Sequence, residues 1–174
     1  MAKLIRNRRI VEDNWQLLPS EAALAQVPDA GDAIVPLALW TAAREALLER
    51  GRSGKARLGL WIEGHDEPAA IAPDLGEFAV IAVHTDKFAD GRLYSTGRLL
   101  RERHGYKGEL RAFGDLMRDH LLMLERCGFD SFVLRESEDL EESLAAFGEA
   151  SEHYQVSAAE PVPLFRRRAA GGKS

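Results

Sequence analysis

Basic side chains are concentrated in one stretch of this 174-residue chain, where they could bind an anion. From position 92 to position 111 there are six of them and two acids, a local net charge of +4 in a chain of net charge −5. They are Arg92, Arg98, Arg101, Arg103, Lys107 and Arg111. Such a concentration predicts an anion site or a surface for an acidic partner.

The start of the helix predicted after Asp90 offers the best geometry for an anion. Free backbone N–H groups and the helix dipole favour negative charge at that point. Arg92 and Arg98 could add bidentate contacts to an oxyanion, while Tyr94 and Ser95 supply hydroxyl groups in the same first turn. We predict that these five residues bind an anion. In the alternative interpretation, the aspartate only caps the helix and the arginines form a solvated face.

Arg111 belongs to the same prediction but raises a separate question, because it lies in the middle of a predicted strand. A charged group there must be paired or must face a cavity. Glu109 lies on the same face, and Glu63 or His84 could reach it from other strands. A structural ion-pair network and an active site explain this arginine equally well.

Two side chains could exchange protons with a substrate. His84 ends its predicted strand and could act as a general base. Asp115 follows a strand at the position where barrel enzymes carry catalytic acids, although it could equally cap a helix. Cys127 lies on the apolar stripe of its helix, which favours a buried, inert thiol over a nucleophile. We therefore take His84 and Asp115 as the catalytic candidates.

No cofactor and no metal site is predicted. The chain has no G-x-G-x-x-G after a strand, no P-loop, no C-x-x-C and no G-x-S-x-G. The loop His65-Asp66-Glu67 has no recognised metal spacing. A single cysteine excludes an internal disulfide and any metal site built from cysteines alone.

Short apolar runs alternate with helical patterns along most of the chain, which is typical of consecutive βα units and a mainly parallel sheet. Residues 3–18 predict an N-terminal β-hairpin, joined to the core by a linker that contains Pro19 and Pro28. The predicted core strands cover residues 34–35, 58–63, 78–84, 109–113 and 131–135. The predicted regions are residues 1–32 for hairpin and linker, 33–165 for the α/β core domain and 166–174 for a disordered basic tail.

Alternation along these strands separates an apolar face from a polar one. The polar face carries Glu63, His84, Glu109, Arg111 and Arg135. A sheet with helices on both faces would bury these groups, whereas a (β/α) barrel packs helices only on the outside. We therefore predict a partial, TIM-barrel-like array. Because five strands cannot close a barrel, a second copy of the chain or another protein is expected to cover the inner face, and we predict a homodimer.

Composition narrows the class of protein. The chain is 45% hydrophobic and 29% charged, as expected of one ordinary folded domain. Its acidic net charge argues against general nucleic-acid binding. No apolar run approaches the roughly 20 residues needed to span a bilayer, and the first ten residues lack the apolar segment of a secretory signal. We predict a cytoplasmic protein without membrane or nucleic-acid partners.

The run DGRLYSTGRLLRERHGYKGELRAFGD, followed later by RCGFDSF, resembles the proteobacterial family of unknown function DUF934. Members of that family carry DGRxYS, LRxRxGYxGELRAxGD and RCGFDxF, and the PLALW of residues 36–40 also fits. Two departures are visible: His84-Thr85 stands where members often have Phe-Pro, and His120 stands where Gln is usual. The resemblance covers most of the chain.

The resemblance implies a role in assimilatory sulfur metabolism. Members are labelled oxidoreductases of sulfite reduction, because their genes tend to lie beside those for sulfite reductase. A chain with one cysteine and without a cofactor motif cannot hold sirohaem with an iron–sulfur cluster. An accessory role therefore fits better than a reductase. The first hypothesis is an accessory protein that binds a small oxyanion, a phosphorylated metabolite or a partner such as sulfite reductase. The alternatives are a cofactor-independent enzyme, an oxidoreductase as labelled, and a purely structural subunit.

Overall fold

The computed structural model describes residues 2–54, 56–87, 90–148 and 166. Eight strands and four α-helices alternate along this part of the chain, with short 3-10 turns between them. In order they are β1 (Lys3–Arg6), β2 (Arg9–Glu12), β3 (Gln16–Leu17), β4 (Ala33–Pro36), α1 (Leu37–Arg52), β5 (Leu58–Glu63), β6 (Val80–Thr85), α2 (Arg92–Arg98), β7 (Glu109–Gly114), α3 (Leu121–Arg126), β8 (Ser131–Phe132) and α4 (Leu140–Leu144). A π-helical turn, Leu99–Arg103, continues α2.

All eight strands form one sheet in the order β2-β1-β8-β7-β6-β5-β4-β3. The strands from β3 to β8 pair in parallel, while β1 pairs antiparallel with both β2 and β8. The fold is α/β with an N-terminal hairpin, as predicted. The prediction of a mainly parallel sheet needs correction, because the sheet is mixed. The hairpin does not precede the sheet but extends it.

The sheet is strongly curled. Its two edges, β2 and β3, are joined by only the three residues 13–15. In a flat sheet, seven inter-strand spacings would place these edges roughly 34 Å apart. The four Cα–Cα steps from one edge to the other cover at most about 14 Å. The sheet must therefore bend round on itself, and it forms a half-barrel.

The two predicted faces are confirmed by the strand register. Trp61 pairs with Ala82, and Ala82 pairs with Arg111, so all three lie on one face. The opposite face carries residues such as Leu60 and Ile81, which are fully buried in the main hydrophobic core with the helices. Because the helices of the described residues pack against that outer face, the charged groups of the inner face avoid an apolar interface with them.

The N-terminal segment covers part of the inner face. Arg111 Nη1 donates a hydrogen bond to Asp13 Oδ2 at 3.0 Å, and Trp61 Nε1 donates to the carbonyl of Leu18 at 2.9 Å. Trp15 packs between them against the small cluster on this face. The homodimer was expected because this face would otherwise be open. The homodimer stays a prediction, but residues of the chain itself already cover part of that face.

The predicted strand 58–63 is confirmed residue for residue. The strand predicted over 78–84 begins two residues later, and the one predicted over 131–135 is shorter. Helix α3 is preceded by a 3-10 turn, Arg118–His120. Beyond residue 148 only Arg166 is described, so the predicted basic tail lies almost wholly outside the described residues. None of the helices in the described ranges is long and apolar enough to cross a membrane.

Candidate functional site

The carboxyl ends of β5, β6 and β7 lie side by side and form a rim of polar residues. Parallel pairing places Glu63 beside His84, and His84 beside Phe113. The three side chains share the inner face because each is an even number of residues from the inner-facing positions below it. In barrels of βα units, this end of the sheet is where ligands bind. We call these strand ends, with the loops that follow them, the carboxyl-end rim.

His84 and Glu63 form a closely bonded pair at this rim. His84 Nδ1 lies 3.1 and 3.0 Å from the two carboxylate oxygens of Glu63. Both side chains are partly open to solvent, with 24% of His84 and 29% of Glu63 exposed. His84 Nε2 has no hydrogen-bond partner within the described ranges. A carboxylate at Nδ1 holds the proton there and leaves the lone pair on Nε2.

Aromatic rings fix the orientation of this imidazole. The ring of Phe113 lies 4.8 Å from that of His84, centroid to centroid, and the ring of Trp61 lies 5.9 Å away at a steep angle. Phe113 and Trp61 also contact each other edge to face at 5.8 Å. Three rings packed in this way restrict the side-chain rotation of His84, so the pair with Glu63 is held in place from below.

Asp86 adds a third polar group. Its Oδ1 lies 3.6 Å from His84 Nδ1, and 74% of its side chain is exposed. One donor atom from each of Glu63, His84 and Asp86 can be chosen so that all lie within 4.8 Å of one another. Sequence reasoning identified His84 but considered Glu63 only as a partner of Arg111, and it missed Asp86. The usable signal was that both Glu63 and His84 end neighbouring strands on the same face.

Arg92 lies close to this group. Helix α2 begins against the loop after β5, where buried Thr96 donates to the carbonyl of Gly64 at 2.9 Å. The Arg92 guanidinium donates from Nε and Nη2 to both carboxylate oxygens of Asp90. These hydrogen bonds are the main reason that the pKa of Asp90 is lowered to about 2. After Asp90, the charges of Asp86 and Glu63 also raise the pKa of Arg92.

The other residues predicted to bind an anion along α2 have different surroundings. Arg98 pairs with Glu102, one helical turn further on, at 2.9 Å. Ser95 is exposed. Tyr94 is half-buried near Cys127, and burial raises the pKa of both the phenol and the thiol. The raised thiol pKa agrees with the prediction of an inert cysteine.

Arg111 lies inside the curled sheet, toward the amino ends of the strands, and is only 3% exposed. Its guanidinium donates to Glu109 at 2.8 and 3.0 Å as well as to Asp13. Arg6 reaches the second oxygen of Glu109 at 3.2 Å. Of the two explanations left open by the sequence, the structure shows the ion-pair network for this arginine.

Asp115 does lie at the rim, after β7. Its backbone N–H donates to the carbonyl of Thr85 at 2.9 Å, and its carboxylate is 3.6 Å from Arg135 Nη1. Arg135 also bonds Glu138 at 3.3 Å. The structure thus brings Asp115 to the same end of the sheet as His84, but in an ion pair with another residue.

Concave surfaces also occur elsewhere. A cleft of about 490 Å³ lies at the opposite end of the sheet, where Asp32, Arg57 and Phe78 contribute to its lining. Arg57 donates from its backbone and guanidinium to Asp32, so both charges are satisfied within the chain.

Comparison with known protein families gives one match. The model of a family described as a bacterial protein of unknown function, DUF934, matches residues 59–165, which is more than half of the chain. The matched region contains Glu63, His84, Asp86 and Arg92. No curated protein matches the chain.

Proposed function

This chain belongs to the DUF934 family of bacterial proteins of unknown function, and from that premise we propose that it is an accessory enzyme of assimilatory sulfur metabolism. It acts in the cytoplasm on a small oxyanion bound at the carboxyl-end rim. The observation that carries the proposal is the His84–Glu63 pair, with both carboxylate oxygens at 3.0–3.1 Å from Nδ1. The sulfur pathway rests on the family resemblance alone.

His84 is the proton-exchanging group in this proposal. Glu63 holds the proton on Nδ1, which leaves Nε2 as the acceptor for a substrate proton. When Nε2 takes the proton, the carboxylate stabilises the imidazolium, as in other His–carboxylate pairs. A positioned general base of this kind contributes typically about 10²–10⁴-fold to a rate.

Arg92 is the anion anchor. Its fork with Asp90 uses Nε and Nη2 and holds the guanidinium at the rim, while Nη1 has no partner among the residues described. A guanidinium held in this way can bind an oxyanion without losing further side-chain freedom. Thr96 of the same helix bonds the residue after Glu63, and we infer that the bound anion lies between the Arg92 guanidinium and the His84 imidazole.

We expect the folded protein to be stabilised by one of sulfite, sulfate, phosphate, adenylyl sulfate or AMP in a thermal-shift series. A ligand at about 100 times its dissociation constant adds roughly 2.7 kcal/mol, which is about 5–10 °C for a chain of this size. Arg92→Ala should abolish the shift. Arg98→Ala, which removes another exposed arginine paired to an acid, should leave it intact. A shift that persists in Arg92→Ala would contradict the anchor.

The role of Glu63 can be tested separately by determining the tautomer of the His84 imidazole. Nitrogen-15 spectra of the imidazole should show His84 protonated on Nδ1 in the wild type, because the carboxylate accepts that proton. In Glu63→Gln we expect a mixture of tautomers. A wild-type imidazole protonated mainly on Nε2 would overturn the proposed base, while leaving the anion anchor to be judged by the thermal shifts.

The second candidate function is docking of a partner enzyme such as sulfite reductase. Leu99 at the end of α2 and Met123 on α3 are large apolar side chains that stay exposed. Exposed basic residues, Arg103 and Lys107, follow in the same part of the chain. Exposed apolar and basic side chains in one part of the chain fit an acidic protein surface. This candidate would be favoured by two results together. No oxyanion would shift the melting temperature, and Met123→Glu would abolish a complex that the wild type forms with sulfite reductase.

A further inference from the structure

We propose that Glu63, His84 and Asp86 form a binding site for a divalent first-row transition metal ion. The proposal rests on the proposed function and deepens it, because it concerns the same rim and identifies a cation that would strengthen the binding of an oxyanion beside Arg92. Spacing along the sequence could not indicate such a site, since its ligands come from two strands and a loop. The structure brings one imidazole nitrogen and two carboxylates to a common point.

The distances between the donor atoms suit a single ion. His84 Nδ1 is 3.0 Å from Glu63 Oε2 and 3.6 Å from Asp86 Oδ1. With metal–ligand bonds of about 2.0–2.2 Å, neighbouring ligands lie about 3.0 Å apart in an octahedron and about 3.4 Å apart in a tetrahedron. The observed separations bracket these values. The donor atoms of Glu63 and Asp86 lie within 4.8 Å of each other, so all three donors surround one point.

The backbone around the ligands is well fixed on the β5 side. Glu63 ends β5, and its backbone N–H donates to Asp66 Oδ2 at 2.8 Å, which closes the loop that follows. His84 is held next to it by the strand register and by the rings below. Asp86 follows two residues later on the more exposed side. Three protein ligands with open solvent beyond them leave coordination positions for water or substrate.

Charge favours a cation at this point. Glu63 and Asp86 place two carboxylates around one imidazole, and among the nearby basic groups Arg92 is already forked to Asp90. An oxyanion that approached the rim would meet these two negative charges. A bound divalent cation offsets them and presents a positive centre to the anion beside Arg92. One imidazole with two carboxylates suits Mn²⁺, Fe²⁺ or Zn²⁺.

The ion changes the role of His84. In the metal-free protein Nδ1–H donates to Glu63 and Nε2 is the proton acceptor. With Nδ1 bound to the metal, Nε2 carries the proton and becomes a hydrogen-bond donor. A metal-bound water, whose pKa is lowered by the ion, then takes over as the proton-exchanging group. The metal would thus supply both anion binding and proton transfer at one point of the rim.

Calorimetric titration of the chelator-treated full-length protein with Mn²⁺ and with Zn²⁺ tests the proposal. We expect one ion per chain, and a loss of affinity of at least 10-fold in each of Glu63→Gln, His84→Gln and Asp86→Asn. Glu67→Gln, which alters an exposed acid in the loop after β5, should bind the ion as the wild type does. Circular dichroism and melting temperature confirm that each variant is folded.

Asp86→Asn separates the two proposals, because it removes a metal ligand and keeps the His84–Glu63 pair. Metal affinity lost in this variant, together with an oxyanion shift that persists without metal, would support both. No stoichiometric metal binding by the wild type would overturn the metal site, and the oxyanion site would stand or fall by its own thermal shifts. Wild-type metal affinity in all three ligand variants would also overturn the site, since the ion would then bind elsewhere.

Discussion

Replacing Arg111 with methionine is expected to lower the free energy of unfolding by about 3–5 kcal/mol, because removing one partner of a buried ion pair leaves the others uncompensated. Arg111 is 3% exposed and donates to both Glu109 and Asp13. Methionine fills similar space but satisfies neither carboxylate. The contact with Asp13 also holds the segment that joins the two edges of the sheet, so its loss weakens the closure of the half-barrel.

Urea denaturation and thermal melting measure this effect. At this chain length about 2–4 °C of melting temperature corresponds to 1 kcal/mol, so we expect a fall of roughly 6–20 °C. Arg98→Met is the matched control. It removes an exposed guanidinium paired with Glu102 at i,i+4, which is typically worth about 0.3–0.5 kcal/mol. Equal stability of the two variants would show that the Arg111 network is not a stabilising element.

The stability of the protein at acidic pH should depend on the same ion-pair network. Burial alone would raise the pKa of Glu109, but the charge of Arg111 and its hydrogen bonds outweigh burial, and the pKa lies below its ordinary value of 4.5. A carboxyl with a lowered pKa in the folded state stabilises the fold above the unfolded pKa, and that stability is lost as the pH falls through the folded pKa. Wild-type stability should therefore fall below about pH 4.5. The difference between wild type and Arg111→Met should shrink over the same range.

Much of the sheet could be predicted from local pattern. Alternation of apolar and charged residues identified the two faces, and the strand 58–63 has the predicted bounds. The closure of the half-barrel could not be read in this way. It depends on β1 pairing with β8, where Ile5 lies opposite Phe132. Strands so far apart in sequence carry no shared local signal, and register is decided by long-range packing.

The candidate site could likewise be predicted only where local pattern indicates it. His84 was predicted because it lies at the end of a predicted strand. Counting charges identified the basic stretch but could not show that Arg92, Arg98 and Arg111 each bond an acid of their own chain. Arg111 bonds not only its near neighbour Glu109 but also Asp13, which is far away in sequence. Local net charge therefore overstated the positive field available to a ligand.

The rim also depends on the backbone at Gly114. This residue has φ of +111°, and an added Cβ would overlap the carbonyl oxygen of Thr85 and lie 2.9 Å from His84 Cδ2. Gly114→Ala would therefore force β7 away from β6 where His84 is positioned. We expect a destabilisation on the order of 3 kcal/mol from the strained backbone and the clash together.

Gly91→Ala is the matched control, since Gly91 has φ of −73° and open space around its Cα. Alanine there should be neutral or stabilising by about 0.4–1 kcal/mol, because it restricts the unfolded chain. Among folded molecules of Gly114→Ala, we expect the oxyanion shift and the metal affinity to fall together, since a displacement of about 1 Å at a binding group can cost about 10²-fold. Loss of stability with both binding properties unchanged would mean that His84 does not act from the position it holds beside Gly114.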